Sequence, residues 1–352
     1  MTGKLILYAP NIHTGGGYIL LRSLLDEWPT SLMLTAVLDL RAKDRLCLPV
    51  GSHVHWVKPS VISRLKAEVM LRDLSKKPDT VLCFHGLPPI LPSFARVLVF
   101  HQNRNYLGLN PLRDFPLRTA ARLGFERLIG RVFRGRVSEY LVQTPSMARD
   151  LTLWYRRCSG SASLPTIRVR PFLNKLPTRD ELGCSSGNVD WDFVYIADGV
   201  AHKNHRRLLE AWCILASNNI RPKLALTLGS RDELLIQAIV ALRTEYKVEI
   251  FNLGEISHNA VIAVYKSSRA LIFPSLSESF GLPLIEASHF GLPIIASELD
   301  YVREVCDPVE TFNPNSPHSI ALAVMRFLNI NNSTFKPVGP SEFLAELVTV
   351  HE

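Results

Sequence analysis

Two glutamates, Glu278 and Glu286, stand eight positions apart (286 − 278 = 8) on either side of Ser279-Phe280-Gly281-Leu282-Pro283-Leu284-Ile285. Carboxylates accept hydrogen bonds from hydroxyls, often in pairs, and free amides at a helix start suit an anion. Gly281 lets the backbone come close. Glu278, Glu286 and the amides of Phe280, Gly281 and Leu282 could therefore grip a ligand that carries both hydroxyls and phosphate, which describes a nucleotide sugar. Singly, each glutamate reads better as a solvated turn or helix-start residue; the whole string carries the functional reading. A cation comes from Asp198-Gly199-Val200-Ala201-His202-Lys203-Asn204, where Lys203 precedes a helix start and adds to its positive pole at a place suited to a diphosphate. Gly15, Gly16 and Gly17 form a loop able to cradle phosphate, although neither a Walker lysine nor GxGxxG spacing accompanies them. His85 and His101 each end an apolar run. A histidine at a strand's carboxyl end is poised over the ligand edge, although a lone histidine is more often a hydrogen-bonded core residue.

The elements that must hold these residues follow from periodicity. Ala270 to Phe273 is an apolar run stopped by Pro274 and a Ser-rich turn. Gly281-Leu282-Pro283 opens an apolar-periodic helix, and Gly291-Leu292-Pro293 leads into Ile294 to Ala296, so the order is strand, loop, helix, strand. Further strands are expected at Lys4–Ala9, Met33–Leu38, His53–Val57, Thr80–Phe84 and Arg96–Phe100, then at Trp191–Ala197, Leu224–Gly229 and Val248–Leu253. Helical stretches such as Ile19–Glu27, Val61–Leu74 and Asn259–Ser268 separate them. A helix with Ser146 near its capped start follows the strand around Leu141. Strand–helix alternation means parallel sheets wound on both faces, which bind ligands beyond the carboxyl ends of their strands.

The string Pro-Ser-x3-Glu-Ser-Phe-Gly-Leu-Pro-x2-Glu-Ala, with its Glu-x7-Glu core, resembles the signature of glycosyltransferase family 4, a retaining group with the GT-B fold. The resemblance extends from about Phe193 to Pro314. It implies that Glu278 meets hydroxyls of the donor sugar and that Glu286 holds the ribose. Phe280, Gly281 and Leu282 would touch sugar and phosphate through their amides, and backbone near Ile256 would lie along the base. Lys203, in Lys-Asn-x3-Leu-Leu-Glu-Ala, resembles the family's diphosphate lysine. An arginine common five residues earlier is replaced by Asp198, which leaves the second phosphate clamp open: Arg206 and Arg207 are candidates to substitute, and each reads equally as a solvated helix charge. His101 would stabilise the developing oxocarbenium, and the Gly15–Gly17 loop would face the donor diphosphate. The implied enzyme is retaining and metal-independent, needs no cofactor, and moves a sugar from a nucleotide-diphosphate donor to a glycan or lipid-linked acceptor in bacterial surface polysaccharide synthesis. Alternatives are a nucleotide-sugar epimerase, a phosphorylase, or a non-catalytic module binding RNA or lipid.

The expected layout is an acceptor-side Rossmann-like domain over 1–173, a linker over 174–190 and a donor-binding Rossmann-like domain over 191–340, with a helix over 341–352 crossing back to the first. At 352 residues, 47% hydrophobic and 20% charged, the chain can bury two cores. Six scattered cysteines argue against a disulfide framework or zinc site. No apolar run is long enough to span a bilayer, and the short N-terminal apolar segment reads as a strand, so a cytoplasmic enzyme is expected. A formal charge of +8 and a pI near 9.2 suggest an anionic partner. Nucleotide, nucleic acid and anionic lipid all qualify by charge; the resemblance implies no nucleic acid. An Arg-bearing amphipathic helix in residues 104–136 reads either as a contact with an anionic membrane surface or as an ordinary domain helix with solvated arginines.

Overall fold

The computed structural model describes residues 3–109, 111–159, 164–173 and 189–330. Its strands are β1 (Leu5–Ala9), β2 (Thr35–Asp39), β3 (His53–Val57), β4 (Thr80–Cys83), β5 (Arg96–Phe100), β6 (Glu139–Val142), β7 (Thr166–Val169), β8 (Trp191–Tyr195), β9 (Leu224–Leu226), β10 (Ile250–Asn252), β11 (Ser268–Phe273), β12 (Ile294–Ser297) and β13 (Glu310–Phe312). Between them run α1 (Gly15–Asp26), α2 (Val61–Leu74), α3 (Leu117–Phe133), α4 (Pro145–Ser159), α5 (His205–Ser217), α6 (Glu233–Glu245), α7 (His258–Lys266), α8 (Leu282–His289), α9 (Asp300–Arg303) and α10 (Pro317–Phe327). The expected linker falls at 174–188 outside the described residues, as does the expected crossing helix at 341–352.

Two parallel sheets result. The first has order β3-β2-β1-β4-β5-β6-β7 and the second β10-β9-β8-β11-β12-β13. Leu7 is in register with Leu82 across β1 and β4, and Leu271 with Val194 across β11 and β8. Central strands such as β1 and β11 are near-continuous apolar runs because helices cover both faces. In the second domain one buried cluster includes Phe193, Trp212 and Phe273. In the first, the sheet separates a cluster with Ala67, Leu71 and Tyr140 from another with Leu7, Leu21 and Phe100.

Strand order reverses between β1 and β4 in one sheet and between β8 and β11 in the other. At such switch points neighbouring loops part and leave a crevice beyond the carboxyl ends. The loops leaving β1, β8 and β11 carry or lead into Gly15–Gly17, Lys203 and Glu278, so the topology sends the predicted residues to the switch points.

One local expectation needs correction. Gly15, Gly16 and Gly17 are not a free loop: they form the first turn of α1, entered at Gly15 with φ +69°. Helix α4 is capped by Thr144, whose Oγ1 accepts from the Met147 amide at 3.3 Å, and the Ser146 amide donates to Glu304 Oε2 at 3.0 Å. The expected Arg-bearing helix within residues 104–136 is α3, which carries Arg118, Arg122, Arg127 and Arg131. Short turns at 104–107, 112–114 and 134–136 flank α3, and several arginines turn inward: Arg127 donates to Asn105 O at 2.8 Å and Arg136 to Pro89 O at 3.1 Å.

Candidate active site

The segment between β11 and α8 is fixed from both ends. Glu278 Oε1 accepts from Lys203 Nζ at 2.7 Å and from Ser275 Oγ at 2.5 Å. Ser275 in turn accepts from the Tyr301 hydroxyl through its carbonyl at 2.7 Å. Lys203 and Glu278 are both largely buried, so each charge depends on the other. Lys203 reaches this point because Asn204, at φ +62°, breaks the turn before α5. The Asn204 side chain donates to Pro274 O at 3.0 Å and Pro314 O at 2.7 Å, tying together the segments after β8, β11 and β13. The lysine thus points at the acid rather than along the α5 axis.

Beyond Glu278 the chain bends through Gly281, at φ 76° and ψ 52°, a left-handed conformation that glycine adopts at no steric cost. Helix α8 begins there and carries Glu286 one turn in. The two acids occupy different surroundings. Glu278 sits in a polar, cation-paired corner, whereas Glu286 is buried and accepts from the Tyr265 hydroxyl at 3.2 Å. His258 Nδ1 lies 3.7 Å from its other oxygen. Burial pushes the Glu286 carboxyl up to about 7, with the Tyr265 hydrogen bond opposing the rise. His258 is pulled below the usual histidine range by burial and then by the positive charge of Arg22 of α1.

Other contacts also cross between the sheets. A Cβ built on Gly16 would lie 3.5 Å from Leu282 Cδ1, and Leu282 packs against the first domain's core. The Arg104 amide donates to Ser279 Oγ at 3.2 Å and its guanidinium to Glu278 O at 3.1 Å; the same guanidinium pairs with Asp150. Thr144 Oγ1 donates to Ser279 O at 3.3 Å. The predicted glycines, Phe280 to Leu282, Glu278 and Lys203 therefore come together.

His101 is buried at the end of β5, its Nδ1 3.0 Å from Gly86 O. A carbonyl only accepts, so Nδ1 carries the proton and Nε2 is left as a lone pair, which has no partner among the described residues. Burial lowers the ring to about 4, so it is neutral at neutral pH. A small cavity bounded by Gly86, Tyr106 and Tyr140 adjoins it. His85 is buried differently, edge-on to Tyr8. Ile256 packs against the second core. Arg206 is exposed on the first turn of α5, while Arg207 bonds Asn204 Oδ1 at 3.0 Å. Among the described residues no cluster of three or more His, Cys, Asp or Glu is placed to hold a metal ion.

Sequence reasoning passed over Arg104, Thr144, Ser275 and Tyr265. Arg104 follows β5 by four residues, a carboxyl-edge position that distinguishes it from the α3 arginines. Ser275 lies inside the motif. Nothing local marks Tyr265, which meets Glu286 only through packing.

Residues 186–336 match the family model described as Glycosyl transferases group 1. Over 90 residues the chain is 37% identical to the serotype-specific mannosyltransferase WbdA of Escherichia coli, covering 25% of this chain and 11% of that protein. O-antigen chain mannosyltransferase B of Escherichia coli is 26% identical over 157 residues, 44% of this chain and 40% of that one. The chain thus spans less than half the length of these curated relatives. Among solved structures, sucrose-phosphate synthase of Thermosynechococcus elongatus superposes with TM-score 0.66 at 17% identity, covering 93% of this chain and 90% of that chain. HepE of Anabaena, in complex with UDP and glucose, gives 0.60 at 13%, again covering 93% and 90%. These likenesses establish the GT-B fold.

Proposed function

We propose, for a chain whose residues 186–336 match the Glycosyl transferases group 1 family model and whose fold is GT-B, that it is a retaining, metal-independent glycosyltransferase of family 4. It transfers a hexosyl group from a nucleotide-diphosphate sugar to a glycan or lipid-linked acceptor in O-antigen or related surface polysaccharide synthesis. The observation that carries this reading is the Glu278–Lys203 pair at the second sheet's switch point, bent through Gly281 against the glycine turn of the other domain. The mannosyltransferase relatives make a mannosyl donor the first to test.

Chemically the demand lies on the departing nucleoside diphosphate, whose growing charge needs donors already in place. The Lys203 ammonium has three N–H donors and spends one on Glu278; the others can meet phosphate. Amides at the start of α8 and the glycine turn of α1 add their dipoles from opposite sides. Glu278, held by Lys203 and Ser275, orients the sugar hydroxyls, and Glu286 receives the ribose. Neutral His101 places no competing cation near the sugar as positive charge develops. Attack occurs on the face that the leaving phosphate vacates, and the phosphate takes up the acceptor proton, so no side chain is assigned as general base.

Incubation with mannose, glucose and N-acetylglucosamine donors carrying uridine or guanosine diphosphate tests the reading by transfer, slow donor hydrolysis or thermal stabilisation. Lys203→Ala and Glu286→Gln are each expected to lower turnover at least about a hundredfold while circular dichroism stays that of the wild type. Wild-type turnover in both variants would overturn the site assignment.

A further inference from the structure

Helices α2 and α3 of the first domain share an arrangement that the sugar chemistry does not use. On α3, Phe125, Leu128 and Val132 are exposed at spacings of three and four, and Leu117 at its start is 90% exposed. On α2, Ile62, Leu65 and Val69 repeat the same spacing and are exposed as well, with Val61 beside them 76% exposed. Residues so spaced lie along one side of a helix. The core is met by other residues, Ala67 and Leu71 on α2 and Leu123 and Gly130 on α3. One loop joins the helices: the Ile90 and Leu91 amides donate to Glu68 of α2 at 2.7 and 3.2 Å, and Leu87 Cδ2 lies 3.9 Å from a Cβ built on Gly130 of α3.

The charge around these stripes is of one sign. Arg64, Lys66 and Arg72 on α2 and Arg118, Arg122 and Arg131 on α3 are exposed. Of the acids on the two helices, Glu68 and Glu126 are buried, and Asp73 lies 3.2 Å from Arg72. No helix among the described residues is long and apolar enough to cross a membrane.

We infer that α2 and α3 together form a docking face for an anionic lipid bilayer, lying in its plane with the apolar stripes in the acyl boundary and the flanking cations on lipid phosphates. A nucleic acid would engage the cations and leave Phe125, Leu128 and Ile62 in water, and a neutral protein groove would do the reverse. A bilayer with anionic headgroups satisfies both. The α3 helix, about 25 Å long, is ample for such contact; each cation near the surface adds about 1 kcal/mol, and the apolar side chains add burial. This inference is independent of the proposed transfer reaction.

The test is co-sedimentation of the full chain with vesicles of phosphatidylcholine alone or mixed in equal parts with phosphatidylglycerol. Binding is expected on the mixed vesicles, at least about tenfold weaker on the neutral ones, and weakened by added salt. Phe125→Glu/Leu128→Glu and Ile62→Glu/Leu65→Glu, all at exposed positions, should each reduce it at least about tenfold with unchanged circular dichroism. Equal binding to neutral vesicles, unchanged binding of either double variant, or tight binding of single-stranded RNA with none to vesicles would overturn it.

Discussion

At the scale of single residues, Glu286 shows how burial sets chemistry. A carboxyl in apolar surroundings resists ionisation, and here only the Tyr265 hydroxyl opposes the effect. Receiving two ribose hydroxyls favours the carboxylate, so nucleotide affinity should rise as pH passes through about 7. Since the phenol opposes the upward shift, Tyr265→Phe should move that midpoint higher by roughly one pH unit, and Glu286→Gln should flatten the profile. Calorimetric titration with nucleoside diphosphate between pH 5.5 and 8.5 would read this. An unshifted midpoint in Tyr265→Phe would show that the tyrosine is mere packing. The acid itself was visible in the motif; its partner lies 21 positions away in sequence, and adjacency of that kind is made by α7 packing beside α8.

Among elements, the connection from β11 to α8 matters most. It was legible as strand, breaker, glycine and helix because each signal has a local cause: Pro274 stops the strand, and Gly281 supplies a left-handed residue at which the helix can start. An alanine at 281 would carry strain from its positive φ and place its Cβ 3.1 Å from Leu284 Cδ1. Gly281→Ala should therefore cost about 1–2 kcal/mol, seen as a lowered midpoint in denaturant, and raise KM for the donor more than it lowers kcat. Unchanged stability and KM would mean that the bend does not position the ligand. The α1 boundary was misread for the same local reason. Glycine weakens helices in isolation, yet a first turn packed near Leu282 and Gln102 tolerates three.

For the whole molecule, the contacts between the two sheets differ in weight. Arg149 pairs with Asp300 at 2.7 Å, but both are well exposed, and such pairs contribute little. Glu304, more buried, accepts the Ser146 amide at the start of α4 and lies 3.4 Å from Arg149. It acts as a helix cap supplied by the other domain. Glu304→Ala should lower stability by about 1 kcal/mol and enlarge the radius of gyration in small-angle scattering, whereas Asp300→Ala should do neither. Equal effects from the two variants would remove Glu304 from that role.

By itself the sequence determined what local rules can encode: the alternation that builds two parallel sheets, the breakers bounding the Glu278–Glu286 segment, and the basic stretch before β6. It also supplied Lys203 as the cation. Tertiary structure decided which partner each charge meets, since that depends on chain segments far apart in sequence. Lys203 turns to Glu278, 75 positions on, and Arg104 leaves the surface to hold Ser279 of the other domain. The apolar residues of α2 and α3 follow the same logic. Period alone shows that a helix has an apolar side, but only the packed sheet beneath can show that part of that side is left facing outward.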